Sequence, residues 1–304
     1  MNLNATESEI KKVEGRIKGF GYQAHFIPGR NRLAIGVTGN RGVEERLYLE
    51  SLPGVLQVIQ VTKPYKLASR ETHQEGSIIH VGNVQFGDGN AVMIAGPCAV
   101  ESLEQTLRIA DSVENRGAQI LRGGAYKPRT SPYSFQGLGE EGLKILAEAR
   151  EKTGLPFVTE VLDTETISVV AQYADMLQIG MRNMQNFTLL KEVGKAGKPV
   201  LMKRGMSATL EETLMSAEYL MVNGCRDVVI CERGVRTFGN HARNTLDISV
   251  VPALKQVSHL PIIIDPSHSS GQHYSVIPHA LAGLGAGADG IIVDVHDRPE
   301  EALC

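Results

Sequence analysis

From residue 91 onward the chain alternates two kinds of segment. Short runs rich in Val, Ile, Leu and Met end in polar turns, and longer stretches with apolar residues at helical spacing follow them. The short runs are AVMIAGPC (91–98), QILRGG (119–124), PFVTE (156–160), MLQIGMR (176–182), PVLMKRG (199–205), DVVICERG (227–234), PIIIDPSH (261–268) and GIIVDVH (290–296). SLEQTLRIADSVENRG (102–117) and TLEETLMSAEYLMVNG (209–224) are the clearest helical stretches. Eight strands with helical segments between them predict parallel βαβ units. Eight such units predict an α/β fold that closes into a (β/α)8 TIM barrel over residues 91–304. An open doubly wound sheet is the competing arrangement. No G-x-G-x-x-G follows the first strand, so its dinucleotide-binding form has little support.

The first 64 residues follow a different pattern. Thr6 and Glu9 form a capping-box signal ahead of a helix that Gly19 and Gly21 close. YQAHFI and RLAIGV read as strands around the turn PGRN, GVEERLYLESLPG as a second helix, and VLQVIQVT (55–62) as a strand. This α-β-β-α-β order is a small ferredoxin-like α+β domain over 1–64 without its first strand. Residues 65–90 read as a linker and a hairpin turning at Gly82-Asn83.

Composition narrows the function. At 304 residues and 42% hydrophobic content the chain buries a sizeable core. A net charge of −3 argues against a general nucleic-acid binder. No apolar run approaches the roughly 18 residues of a membrane span. MNLNATESEIKKVEG lacks the apolar region of a signal peptide, so the expected location is cytoplasmic. Cys98, Cys225, Cys231 and Cys304 are scattered without a C-x-x-C pair, which favours free thiols.

The chemistry collects where the strands end. In order these positions carry Cys98, Arg122, Glu160, Arg182, Lys203, Glu232 with Arg233, Asp265 with His268, and Asp294 with His296. A charged residue after one strand is ordinarily the solvated start of a loop. A barrel, however, brings all eight strand ends to one mouth, where active sites lie. Cations converging there repel one another unless an anion sits among them, so the expected substrate is a small anion. Lys127 and Arg129 stand on the glycine-rich loop after Arg122, within reach of phosphate or carboxylate. Cys98, His268 and Asp294 bring thiolate, imidazole and carboxylate together, a plausible site for a divalent metal ion. Manganese, iron, zinc and cobalt all remain open. Cys98 alone would read as a small buried apolar residue and His268 alone as a loop histidine.

With GPCAVES (96–102), LRGGAYKPRTSPYSFQGLG (121–139), QIGMRNMQN (178–186), KRG (203–205), CERGVRTF (231–238) and DPSHSSG (265–271), the chain resembles the 3-deoxy-D-arabino-heptulosonate 7-phosphate (DAHP) synthases, first enzymes of the shikimate pathway. The likeness is to the bacterial subgroup related to the 3-deoxy-manno-octulosonate 8-phosphate synthases. The resemblance implies a metal-dependent, aldol-type transferase joining phosphoenolpyruvate to D-erythrose 4-phosphate. It implies that Arg122 and Lys127 hold the phosphoenolpyruvate carboxylate and that Arg182, Lys203 and Arg233 hold its phosphate. Lys127, Arg129 and Thr130 of KPRT, with Arg236, would hold erythrose 4-phosphate. Asp265 belongs to the same substrate set, and Glu160 would orient Lys203 or a water. Cys98, His268 and Asp294 would bind the metal, with Lys127, Cys98 and His268 as the catalytic set.

KPRT also separates the two relatives, since the octulosonate synthases typically read KANR there. Arabinose 5-phosphate is therefore the less favoured aldose. The resemblance further implies an aromatic amino acid effector on the N-terminal domain and a homo-oligomer, dimer or tetramer. Three departures stand out. The chain opens with MNLNAT where the subgroup has a strand. It carries Asp294 where the subgroup usually has Glu. It stops at EEALC, before the subgroup's further aspartate ligand and last barrel helix. A phosphoenolpyruvate-binding relative with impaired catalysis is the competing expectation.

Overall fold

The computed structural model describes residues 1–28, 33–39, 44–59 and 63–304. The chain divides into two compact units, Met1–Ser77 with Val257–His259, and Ile78–Gln256 with Leu260–Cys304.

In the N-terminal unit, α1 (Glu7–Gly19) opens on the Thr6–Glu9 capping box. Strands β1 (Gln23–Pro28) and β2 (Leu33–Thr38) pair antiparallel, with Gln23 opposite Thr38. Helix α2 covers Glu44–Glu50. Val13, Ile17, Leu49 and Leu52 form the core beneath the sheet. The expected turn PGRN lies largely outside the described residues. The strand expected over 55–62 is absent from its described part, 55–59. There the Leu52 carbonyl takes the N–H of Val55, and the Glu50 carboxylate takes that of Val58 at 3.1 Å, so neither enters a ladder.

The second unit begins with β3 (Ile79–Val81) and β4 (Val84–Phe86), a hairpin turning at Gly82 and Asn83. Its apolar side chains join a core cluster with barrel residues such as Val92, Ile120, Leu201 and Ile292. Eight parallel strands follow: β5 (Val92–Gly96), β6 (Ile120–Arg122), β7 (Phe157–Val161), β8 (Met176–Ile179), β9 (Val200–Lys203), β10 (Val228–Glu232), β11 (Ile262–Ile264) and β12 (Gly290–Asp294). They close into one barrel, with β12 pairing back onto β5. The strands are nearly continuous runs of buried apolar residues, as a sheet covered on both faces requires.

The intervening helices are α3 (Leu103–Glu114), α4 (Glu140–Thr153), α5 (Ile167–Tyr173), α6 (Phe187–Gly194), α7 (Leu210–Val222) and α8 (Val250–Val257). A short α9 (Pro266–Ser270) and α10 (His273–Gly285) complete the set between β11 and β12. After β12 a single 3-10 turn, Pro299–Glu301, follows. Tyr274, Ile277 and Leu281 on α10 are exposed, at 65–73% of their full surface. Among the described residues no helix is long and apolar enough to cross a membrane.

Candidate functional site at the barrel mouth

Cys98 follows β5 and Asp294 ends β12, its pairing neighbour. His268 is carried by α9, which starts directly after β11. Asp265 caps α9 by accepting the His268 N–H at 2.9 Å. One ligand atom from each of Cys98, His268 and Asp294 lies within 4.8 Å of the others. His268 Nε2 stands 3.9 Å from Cys98 Sγ and 3.3 Å from Asp294 Oδ2. Its Nδ1 is taken by Asp265 Oδ2 at 2.9 Å, leaving Nε2 for a cation. A hydrogen bond from Cys304 lowers the Cys98 thiol. Burial opposes that, while His268, Arg122 and Lys127 reinforce it, so the sulfur is held well toward thiolate. Thiolate, imidazole and carboxylate are a donor set that fits a borderline divalent ion.

Arg122 and Lys127 flank this triad. Arg122, 4% exposed at the end of β6, pairs with Asp294 and donates to the Cys98 carbonyl at 3.4 Å. Lys127 Nζ donates to the same carbonyl at 2.8 Å and contacts Cys98 Sγ at 3.2 Å. The glycines between them serve close packing. A Cβ on Gly123 would stand 2.6 Å from Leu146, and one on Gly124 would stand 2.7 Å from the Cys98 oxygen and 2.5 Å from the Lys127 chain. The loop is therefore tight because Lys127 folds back over it.

Lys203 ends β9 and is buried. The resemblance has Glu160 orienting Lys203 or a water; in the structure Lys203 pairs with Asp265, at 2.5 Å. Glu160 instead accepts from Gln178 at 3.1 Å and presses against the backbone at Gly180, which has no Cβ to obstruct it. Asp265 is fully enclosed, with its oxygens shared between Lys203 and His268. Burial pushes its carboxyl up, but His268 and Lys203 outweigh that and hold it well below the usual range. Its carboxylate therefore bridges Lys203 and the His268 ring.

Arg233 is also buried, while Arg182, on the 3-10 turn Met181–Asn183, is exposed. Burial chiefly, and then the like charges of Arg243 and Arg182, pull the Arg233 guanidinium below its usual range, against Asp265 and Cys231. Asn244, with its amide turned to satisfy both neighbours, accepts from Arg233 Nη1 at 3.0 Å. Arg129, Thr130 and Arg236 lie exposed on loops. His296 turns away from the triad toward Glu101 and Gln105.

Sequence reasoning missed Arg243, Asn244 and Arg204. The first two lie in the long loop after β10, ten or more residues past the strand end, with Arg243 exposed and Asn244 buried. Arg204 was hidden by its neighbour Lys203 in KRG.

Residues 64–304 match the family described as DAHP synthetase I, and residues 1–63 match the DAHP synthase ferredoxin-like domain. The phospho-2-dehydro-3-deoxyheptonate aldolase of Thermotoga maritima is 50% identical over 299 residues, covering 98% of this chain and 88% of that protein. A 2-dehydro-3-deoxyphosphooctonate aldolase of Syntrophobacter fumaroxidans is 30% identical over 72% of this chain and 81% of its own length. The crystal structure of the Thermotoga maritima phospho-2-dehydro-3-deoxyheptonate aldolase (DAHP synthase) superposes with a TM-score of 0.78 at 48% identity, covering 99% of this chain and 88% of that one.

Proposed function

The chain belongs to the DAHP synthetase I family and acts as a DAHP synthase, and from that premise we propose how its barrel mouth joins phosphoenolpyruvate to D-erythrose 4-phosphate. The observation that supports the assignment of residues is the placement of Arg122 and Lys127 against Cys98, His268 and Asp294, with Lys203 joined to His268 through Asp265 and the charges of Arg233 and Arg182 felt beyond it.

Arg122 and Lys127 hold the carboxylate of phosphoenolpyruvate. Arg182, Lys203 and Arg233 hold its phosphate, with a guanidinium fork suited to bidentate contact and an ammonium to a point charge. The loop from Lys127 through Arg129 to Thr130, with Arg236, holds the phosphate of erythrose 4-phosphate. Cys98, His268 and Asp294 would hold a divalent metal ion. When bound, the ion supplies Lewis-acid polarisation of the aldehyde. These contacts align C3 of phosphoenolpyruvate with the aldehyde carbon. The new carbon–carbon bond forms there, water adds at C2, and inorganic phosphate leaves. Lys127 is the ammonium nearest the triad and is placed to deliver a proton to the aldehyde oxygen. Asp265 keeps Lys203 and His268 oriented together.

The ferredoxin-like unit is the expected seat of an aromatic amino acid effector. The exposed apolar face of α10 is consistent with assembly as a homo-oligomer, dimer or tetramer. The proposed setting is the cytoplasm.

The test is turnover of the purified chain with phosphoenolpyruvate and erythrose 4-phosphate plus manganese, with a chelator and arabinose 5-phosphate as separate controls. Metal-dependent phosphate release with erythrose 4-phosphate alone is the expected result. Binding of phosphoenolpyruvate without turnover would overturn the three-residue metal site. Faster release with arabinose 5-phosphate would overturn the aldose.

A further inference from the structure

The segment between β10 and α8 leaves the barrel at Gly234 and returns at Asp247. Val235 and Thr245 pair antiparallel through two hydrogen bonds of 2.8 and 2.9 Å, and the hydroxyls of Thr237 and Thr245 meet at 2.7 Å. Residues 235–245 therefore form a narrow ribbon. One limb is tied to the turn after β9, where the Arg236 N–H meets the Met206 carbonyl at 2.8 Å. The other is tied to α9, where the N–H groups of Arg243 and Asn244 meet the carbonyls of Ser270 and Ser269 at 2.9 Å each. Arg236, Phe238 and Arg243 stand exposed on it.

Under the neck of this ribbon lies Glu232, fully buried at the end of β10. Its Oε1 accepts the N–H of Gly234 at 2.7 Å and that of Asp247 at 3.2 Å, the two ends of the ribbon. Its Oε2 pairs with Arg204 Nη1 at 3.0 Å. Arg204 also binds Asp247 Oδ2 at 2.8 Å and the Ala208 carbonyl at 2.9 Å. A carboxylate buried this deeply is costly unless its charge is paired and its lone pairs are filled. Here both oxygens meet donors only. A glutamine would turn its NH2 onto one of those donors, and no rotation of the amide would avoid it.

We propose that Glu232, with Arg204 and Asp247, is the positioning group that clamps both ends of the ribbon 235–245 and so sets Arg236 for the phosphate of the aldose substrate. The inference rests on the reading of Arg236 given under Proposed function. It concerns how the ribbon is held, and none of the three residues touches substrate.

Glu232→Gln tests it. Losing a hydrogen bond to a charged group corresponds to roughly 10–100-fold. KM for erythrose 4-phosphate is expected to rise at least about tenfold, with KM for phosphoenolpyruvate within about threefold. Amide hydrogen exchange should quicken across Gly234–Asp247 and stay unchanged in β9 and β10. Asp247→Asn, half-buried and at the far end of the neck, should move the same quantities in the same direction and serves if the first variant does not fold. Equal rises in both KM values, or unaltered exchange in the ribbon, would overturn the proposal. If the unaltered chain does not consume erythrose 4-phosphate, the functional reading fails, while the exchange measurement still decides whether Glu232 holds the ribbon.

Discussion

At the scale of single residues, Asp265 links the two halves of the mouth. Its carboxylate reaches Lys203 on one side and His268 on the other, and it is entirely enclosed. Asp265→Asn keeps the shape and removes the charge. The partner behind a metal-binding histidine is worth roughly 10–100-fold in metal affinity, so manganese binding followed by calorimetry should weaken by about that much. Breaking one side of a buried ion pair costs about 3–5 kcal/mol, and the melting temperature should fall with it. Lost stability with unchanged manganese affinity would mean that Asp265 serves Lys203 alone. The sequence offered Asp265 as a strand-end residue like any other. Its two partners come from β9 and α9, and only their packing shows that its oxygens are already taken.

At the scale of elements, α1 begins where the sequence places it, and α7 within the helical stretch read over 209–224. Thr6 with Glu9 and Thr209 with Glu212 are closed capping boxes, because both halves of each motif lie within one turn. Such signals are local and therefore legible. The place of Val257–His259 in the N-terminal unit is not. There His259 Nε2 meets the Leu67 carbonyl at 2.7 Å and Nδ1 meets Ser77 Oγ at 2.7 Å. Burial chiefly pulls this imidazole down from 6.5 to about 4. The Leu67 carbonyl opposes that, and His73 and Arg70 assist it. A depressed folded value means that the unfolded chain protonates first as pH falls. The stability is complete above about 6.5 and is lost as pH drops toward about 4, by up to about 1.4 kcal/mol per pH unit. Melting curves across that window should show the loss, and His259→Gln should flatten it. An identical slope in the variant would assign the acid sensitivity elsewhere.

At the scale of the whole molecule, a chain of net charge −3 carries cations at its barrel mouth. The field that draws anionic substrates in is therefore local and open to screening. The Debye length falls from about 10 Å at 0.1 M salt to about 3 Å at 1 M. KM for both substrates should rise several-fold as potassium chloride goes from about 0.05 to about 0.5 M, with little change in melting temperature. A flat dependence would mean that direct contacts, and no longer-range steering, set affinity. Tyr274, Ile277 and Leu281, exposed along α10, belong to this scale too, since no local rule distinguishes a helix face that packs from one left open.

The sequence by itself determined the period of the chain, and with it the barrel. Apolar runs of strand length followed by amphipathic helices admit few other closed arrangements. The order of those runs also determined which residues stand at the strand ends, because every parallel strand ends on the same side. The family motifs added the reaction. Only the tertiary structure decided who pairs with whom there: Lys203 with Asp265 instead of Glu160, Arg122 with Asp294, and Glu232 with Arg204 and the neck of the ribbon. Spacing along a strand fixes which face and which end a side chain occupies. Its partners come from other strands and loops tens of residues away, and their distances are set by how the barrel closes and how each loop folds back over it.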